Sequence, residues 1–363
     1  METKTINEFS KDFIKKATNK IHIVSHFDTD GITSAAILSK TLERIEKQFS
    51  VKIIKQLTED EINKFPKEKI IFLLDLGSNQ IKRLSILSNE IFILDHHEIE
   101  VQEIPKNITI FNPHLTKENE NLCSSELTYL FSKSISTENK DLANLAVLGM
   151  IGDVMDKEIT KTRNEIIKDG EVKIKKSLLL YPATRPIDKV LEFNSMPFIP
   201  GITGNANKIN EFLKEIGFEK INRNYKALMD LTESEMKKLI SAVMQRFDSN
   251  KESELIGNIF LIKFFNKIED AREISAIINA CGKMEKPEIA LLLCLGNSEA
   301  RKKAESLYLK YRQNLITGLK IIENEKKIIG KEFVIINCKD KIKDSLIGTL
   351  TSIISFSSIY PEG

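Results

Sequence analysis

Two rhythms of hydrophobic and polar positions alternate along this chain. Short apolar runs, closed by charged or turn-forming residues, are separated by stretches with an apolar residue every three or four positions. Residues 20–25 form the first run, which ends at His26. From residue 32 to about 49, Ala35, Leu38, Leu42, Ile45 and Phe49 keep helical spacing. Residues 51–55 predict a short strand. Residues 69–74 and 90–94 are continuously apolar after their charged first residues, Lys69 and Glu90, as in strands buried on both faces of a parallel sheet. Between them, Ser78-Asn79-Gln80 opens a short predicted helix with Ser78 as its N-cap. Residues 108–111 predict another strand, stopped by Asn112-Pro113, and helices follow near 124–134 and 140–155. Strand and helix alternating over short links predict an α/β fold with an open, mostly parallel N-terminal sheet. In such sheets, sites form outside the carboxyl ends of the strands.

Four of the nine prolines fall between Pro182 and Pro200, followed by Gly201 and Gly204, and mark a domain boundary. Beyond it, residues 207–217 and 224–247 are charged, amphipathic and helical in pattern. A second α/β pattern starts at Gly257, with strands at 258–264, 288–295 and 332–337 and helices at 270–280, 298–323 and 343–356. The expected organisation is a first domain over 1–181, a linker and helical insert over 182–255, and a second, smaller α/β domain over 256–363.

Composition refines this picture. A chain of 363 residues exceeds one typical core, and 41% hydrophobic with 29% charged residues describes a soluble globular protein. The net charge of +2, from 54 basic and 52 acidic residues, argues neither for nor against nucleic acid. The N-terminal METKTINEFSKDFIKK lacks the apolar centre of a signal peptide, and no stretch approaches about 20 uninterrupted apolar residues. Cys123, Cys281, Cys294 and Cys338 are far apart and form no CxxC pair. They read as reduced thiols of a cytoplasmic protein, which makes a cysteine-based zinc site unexpected.

The chemistry gathers where predicted strands stop. His26-Phe27-Asp28-Thr29-Asp30-Gly31 closes the first strand, Asp75 the run 70–74, and Asp95-His96-His97 the run 91–94. Gly152-Asp153 follows a helical stretch. The chain has five histidines; three lie in these segments and none beyond His114. Oxygen donors with imidazoles fit a divalent-metal site, Mn²⁺ best, with Mg²⁺, Co²⁺ or Zn²⁺ as alternatives. Asp28 and Asp30, two apart on a loop, can each meet a different ion, and Asp75 can bridge both with its two oxygens. A pair of ions about 3.5–4 Å apart serves phosphoryl chemistry. Any one of these aspartates alone would be an ordinary turn former or cap; the ordered set of four segments is what carries the reading.

These motifs resemble those of the DHH superfamily of phosphoesterases. His26-x-Asp28-x-Asp30-Gly31 is similar to its first motif, Asp75 to its second, Asp95-His96-His97 to the name-giving third and Gly152-Asp153 to its fourth. The resemblance extends to the archaeal RecJ-like nucleases through Asn112-Pro113-His114-Leu115, Thr184-Arg185-Pro186, Pro197-Phe198-Ile199-Pro200-Gly201-Ile202 and Asn279-Ala280-Cys281-Gly282-Lys283. It implies two Mn²⁺ ions, with Mg²⁺ or Co²⁺ as alternatives. His26, Asp28 and Asp75 would hold one; Asp30, Asp75, His96 and Asp153 would hold the other. His97 would contact the scissile phosphate or assist proton transfer, and Asp95 would orient the histidines. The implied activity is a metal-dependent exonuclease on single-stranded DNA or RNA in replication or repair. The implied alternatives are a small-substrate enzyme acting on short oligonucleotides and a replication scaffold pairing with GINS through the helical insert, since such proteins resemble the inactive DHH-fold subunit of the eukaryotic replicative helicase. The family's DHH-associated, nucleic-acid-binding domain usually ends in a Gly-Gly-Gly-His segment. This sequence, ending Tyr360-Pro361-Glu362-Gly363, contains none, so a truncated or incomplete associated domain is expected, which bears on substrate grip and processivity.

Weaker candidates surround this set. His114 at a strand end, Arg185 between Thr184 and Pro186, and Lys283 after Cys281-Gly282 are substrate-binding candidates; a turn histidine, a linker ion pair and a solvated lysine are the plainer readings. Ser124 and Ser125 suit either phosphate binding or an N-cap. His22, inside the first strand, and Phe264, inside a later one, read as core; Phe265 beside it reads the same way, although bases stack on that residue type.

Overall fold

The apolar runs of the N-terminal half form a five-stranded, all-parallel sheet of order β2-β1-β3-β4-β5, from β1 (Lys20–His26), β2 (Gln48–Ile54), β3 (Ile70–Leu74), β4 (Ile91–Leu94) and β5 (Ile108–Phe111). The structure is a computed structural model and describes residues 5–17, 20–99, 103–116, 120–180, 182–193, 199, 202–246, 255–330 and 333–356. β3 and β4 are buried at every position, as their continuous apolar runs require. The helices of this half are α1 (Ile6–Lys16), α2 (Thr29–Arg44), α3 (Glu59–Asn63), α4 (Ile81–Leu84), α5 (Ser124–Ile135), α6 (Ala143–Gly152) and α7 (Lys161–Asp169).

Helix α1 is absent from the sequence expectation. Its only large apolar anchors are Phe9 and Phe13, four apart, and both are fully buried. They pack edge-to-face on Phe72, Phe92 and Phe131 with centroids 5.2–6.2 Å apart, tying the helix to β3, β4 and α5. Thr5 and Glu8 close its first turn as a capping box.

Other expectations need correction. The helix expected over 32–49 is α2, which stops at Arg44. Glu46 turns the chain at φ 55, the Lys47 amide bonds back to the Leu42 carbonyl, and Phe49 belongs to β2. Ser78 is not an N-cap: Gly77, at φ 117, holds that position, and Ser78 is the first residue of a 3₁₀ turn leading into α4. The strand expected over 288–295 is the helix Pro287–Cys294. Pro287 sits in its first turn, where the missing N–H costs nothing, and the Leu and Ala run beyond favours helix. A short apolar run does not distinguish a strand from a buried helix.

Cα packing divides the chain into Met1–Ser275 and Ala276–Gly363. The first unit holds the parallel sheet and a second, antiparallel sheet of β6 (Lys173–Leu178), β7 (Ile256–Phe264) and β8 (Lys267–Asp270). The sequence pattern gives no sign of β6 or β8 and places the 258–264 strand at the head of the C-terminal α/β pattern, whereas packing places that strand in the first unit. Phe265 and Asn266, at φ 50 and 58, make the two-residue hairpin turn between β7 and β8. The helices Ala206–Glu215 and Glu233–Met244 pack Ile209, Phe212, Leu213, Leu239 and Val243 into one core with Leu178, Leu180, Ile259 and Leu261 of the β6–β7 region. In the second unit, the helices Ser298–Asn324 and Asp344–Phe356 meet through Tyr311, Ile322, Leu346 and Leu350, with a hairpin of β9 (Lys327–Ile329) and β10 (Val334–Ile336). Gly318 allows that contact: a Cβ there would lie 2.7 Å from Leu350. Residues 247, 332, 357–363 and most of 194–201, which include several expected segment ends, lie outside the described residues. No helix among the described residues is long and apolar enough to cross a membrane.

Candidate metal centre

The carboxyl ends of β1, β3 and β4 deliver the site. β1 ends at His26, and the chain turns at once into α2, with Asp28 as its N-cap: Asp28 Oδ1 accepts from the Gly31 amide at 3.0 Å. Gly31 is required there, since a Cβ would lie 2.4 Å from the His26 carbonyl oxygen. Asp30, in the first turn of α2, is fully buried, and both of its oxygens are taken: the Ser124 and Ser125 amides at the start of α5 donate to them, each at 2.8 Å. The positive end of α5 thus fixes the carboxylate in place.

Asp75 leaves β3 in the left-handed region at φ 58 and is 2% exposed. A non-glycine residue held this way is strained, and such strain gathers at functional sites. Its two oxygens face opposite ways. Oδ2 lies 3.2 Å from His26 Nδ1, whereas Oδ1 lies 3.4 Å from His96 Nε2 and accepts from the Ser124 hydroxyl at 3.3 Å. His26 Nδ1 is also 2.8 Å from Asp28 Oδ2, and His96 Nε2 is 3.1 Å from Asp153 Oδ2 and 3.9 Å from Asp30 Oδ2. Three groups of potential ligand atoms result: His26–Asp28–Asp75, Asp30–His96–Asp153, and Asp75–His96–His97. Every residue singled out as a ligand therefore lies in one neighbourhood, and Asp75 joins the two halves.

Asp95, fully buried after β4, is a hub. It accepts from the backbone amides of Ser78 at 2.9 Å, His96 at 2.8 Å and His97 at 3.3 Å, and its Oδ1 lies 2.7 Å from His97 Nδ1. The His97 side chain is 55% exposed, so its other nitrogen is open to a substrate. Asn112, buried beneath this loop, donates to the Ser78 hydroxyl and the His97 carbonyl, both at 2.9 Å.

The electrostatics of the cluster favour positive charge here. Burial, then repulsion from Asp28 and Asp30, pushes the Asp75 pKa up to about 8. Burial and Asp30 push Asp153 up to about 7. Burial works against the charge on His26, yet the hydrogen bonds and charges of Asp28 and Asp75 carry it up to about 10. His96 also reaches about 10: burial opposes its charge, and Asp75, Asp30 and Asp153 overcome it. Burial opposes the charge of Asp28, but His26 and the Gly31 amide hold it down at about 2; Asp95 stays at about 2 against the same burial, through His97 and Ser78. Four carboxylates with imidazoles and no thiolate form a donor set that fits a hard or borderline divalent cation.

The weaker candidates fare differently. His22 is half-buried in β1 with Nδ1 2.8 Å from the Ser50 hydroxyl. His114 is exposed in a 3₁₀ turn, its amide capped by Asn112, which is the turn reading. Arg185 is ion-paired to Glu273 at 2.6 Å, the linker reading. Lys283 ends the helix Ala271–Lys283 and falls in the unit Ala276–Gly363. Phe264 is buried, with its ring 5.1 Å from that of Phe265. Ser124 and Ser125 turn out to hold carboxylates. The Ser-Ser-Glu at a helix start was the available signal, since the exposed amides of a first turn bind anions. Gly149 and Gly152 carried no signal alone. A Cβ on Gly149 would lie 2.0 Å from Ser125 Oγ and 2.7 Å from Asp30 Oδ1, and one on Gly152 2.5 Å from Thr29 Cβ. These glycines let α6 approach the two helices that carry the site.

Comparison with known proteins agrees with this geometry. Residues 20–150 match the N-terminal domain of the DHH family, and residues 180–257 match the DHH-CID domain. An uncharacterized protein of Methanocaldococcus jannaschii is 30% identical over 339 residues, covering 89% of this chain and 76% of that protein. The fold is similar to a manganese-bound crystal structure of exonuclease RecJ (TM-score 0.58, 14% identity, 99% of this chain and 79% of the other). It is also similar to CDC45 from Entamoeba histolytica (TM-score 0.66, 14% identity, 97% and 80%). With its four motifs converging on one carboxylate-and-imidazole centre, the chain belongs to the DHH family.

Proposed function

We propose that this chain is a two-metal phosphodiesterase that trims single-stranded DNA or RNA from an end. The observation that carries the reading is Asp75: a buried, strained carboxylate whose oxygens face two separate ligand groups. His26, Asp28 and Asp75 would hold one ion, and Asp30, Asp75, His96 and Asp153 the other. The ions are Mn²⁺ in this reading, with Mg²⁺ or Co²⁺ as alternatives; RecJ structures with manganese and with magnesium share the fold. Such ions supply charge stabilisation to a phosphodiester attacked by water. The protein's own contribution is positional. Asp30 is fixed by two amides, and Asp95 fixes the tautomer and direction of His97. His97 then meets the scissile phosphate and hands a proton to the leaving oxygen. His114, Arg185 and Lys283 remain outlying candidates for contact with the strand, Arg185 only by giving up Glu273.

The reading further takes residues 1–181, 182–255 and 256–363 as catalytic, insert and nucleic-acid-binding parts, in a cytoplasmic protein. Its test is release of mononucleotides from end-labelled single strands of DNA and RNA with Mn²⁺, Mg²⁺ or Co²⁺. Absence of turnover with all three metals on long and short strands alike would sink it, and a marked preference for the short strands would shift it to the small-substrate alternative.

A second reading is a replication scaffold that pairs with GINS through residues 182–255. It is favoured by the DHH-CID match over 180–257 and the likeness to CDC45. The insert shares its core with β6 and β7, so deleting it would unfold more than a docking surface. Charge reversal of the exposed Lys208, Lys214, Lys237 and Lys238 is the milder probe. Unchanged GINS capture by that variant would remove the basic surface of this insert as the docking face.

A further inference from the structure

Away from the ligands lies a salt bridge sealed from solvent. Arg163 of α7 is 2% exposed and Glu126 of α5 is 1% exposed. Arg163 Nε donates to Glu126 Oε1 at 2.9 Å and Nη2 to Oε2 at 3.1 Å, a two-pronged contact. Desolvating both charges is costly and is offset only where the remaining donors and acceptors also find partners. Here they do. Nη1 donates to the Glu158 carbonyl at 3.0 Å, and Nη2 also reaches the Asn121 carbonyl and Met155 Sδ. Glu126 Oε2 accepts from the Cys123 amide at 2.9 Å.

Those partners fall in two short segments. Asn121 and Cys123 lead into α5, whose next two amides grip Asp30; Met155 and Glu158 lie on the loop that leaves Asp153. Asp30 and Asp153 are two members of a single ligand group, with His96 as the third. Among the described residues, no hydrogen bond of either side chain reaches His26, Asp28 or Asp75. We infer that Arg163 and Glu126 are positioning residues for the Asp30–His96–Asp153 half of the metal centre alone, setting the distance between the helix start that holds Asp30 and the loop that carries Asp153. This rests on the metal-centre reading above. Lysine at 163 keeps the charge but loses the fork that ties both segments at once.

The experiment is Mn²⁺ uptake by the metal-stripped full chain, following free Mn²⁺ by electron paramagnetic resonance. Arg163→Lys and Glu126→Gln are each placed in wild type, in Asp28→Ala and in Asp153→Ala. In Asp28→Ala, the surviving ion sits at Asp30–His96–Asp153, and either substitution weakens it by about 10–100-fold, the range for residues that orient ligands. In Asp153→Ala, the surviving ion is unchanged within about two-fold. Ile71→Val, a core change away from the ligands, controls for lost stability and leaves both ions unchanged. Equal weakening of both ions, or weakening of neither, overturns the inference while the metal centre stands. Failure of wild type to take up Mn²⁺ overturns the metal-centre reading itself. Should Arg163→Lys not fold, Glu126→Gln decides alone, since it keeps the side chain's shape and one acceptor oxygen.

Discussion

Asp75 concentrates the chemistry into one residue, and its loss has a distinct signature. If the proposed two-metal reading holds, Asp75→Ala should lower metal content at both positions and abolish strand cleavage, whereas Asp28→Ala should empty one position; mass spectrometry of bound metal checks both. His97→Ala keeps its metal and loses about 10²–10⁴-fold in turnover, the range for a lost proton-transfer group. Retention of metal in His96→Ala with loss in His97→Ala would reverse the two roles. The pH dependence follows from the same cluster. Asp75 at about 8 and Asp153 at about 7 keep protons that unfolded carboxyls release near 3.8, and His26 and His96 at about 10 keep protons that unfolded imidazoles release near 6.5. The metal-free folded state therefore binds more protons than the unfolded chain, and this stability is lost as pH rises through 7 to 10. Metal ions displace the same protons, so affinity rises over that window. Melting temperature without metal falls from about pH 6 to about pH 9 while Mn²⁺ binding tightens; opposite slopes would refute the assignment. At this scale the sequence was highly legible, because aspartates and histidines at strand ends have few other uses together. It offered Ser124 and Ser125 as phosphate binders or a cap and not as holders of carboxylates, and it was silent on Arg163; these roles depend on which segments the fold brings side by side.

Elements were legible where one pattern had one meaning. β3 and β4 announced themselves as apolar runs, and α2 by spacing. α1 did not, because two phenylalanines in a charged segment carry its whole attachment to the core. Phe13→Ala should cost about 3–5 kcal/mol, measured by denaturant unfolding, through the cavity left against Phe72, Phe92 and Phe131. The β6–β7–β8 sheet was also hidden, since β6 reads Lys-Ile-Lys-Lys-Ser-Leu and finds its partner only after the insert. α6 bears the tightest constraint. Gly149→Ala drives a methyl into Ser125 and Asp30, so metal affinity should fall with little change in helix content by circular dichroism. The insert helix Glu233–Met244 begins with a capping box of Thr232 and Glu235. Hydrogen bonds from Lys226 and the Thr232 amide hold Glu235 down at about 2, so its contribution is present above about pH 4.5 and lost as pH falls through 2. Thr232→Ala should destabilise by about 1 kcal/mol in a thermal melt.

For the molecule as a whole, the sequence pattern foresaw an α/β protein with a second, smaller α/β part, and the structure bears this out. It did not foresee that Cα packing would group the insert with the N-terminal sheet, up to Ser275. Composition along a chain marks linkers, but the shared core of the insert with Leu178, Leu180, Ile259 and Leu261 joins segments about eighty residues apart, which no local signal reports. The metal centre has the same non-local character, and this has a consequence for the protein's lifetime. Its candidate ligands come from the ends of β1, β3 and β4 and from the end of α6, so an ion would find its full set only on a chain whose strands have already assembled in order. In the two-metal reading, the cation would thus favour only the correctly assembled chain. At a free concentration of 100 times its dissociation constant, one such ion adds about 2.7 kcal/mol to the native state alone. Depletion by a chelator should therefore raise the rate at which a protease digests the chain, well before any assay of catalysis is made.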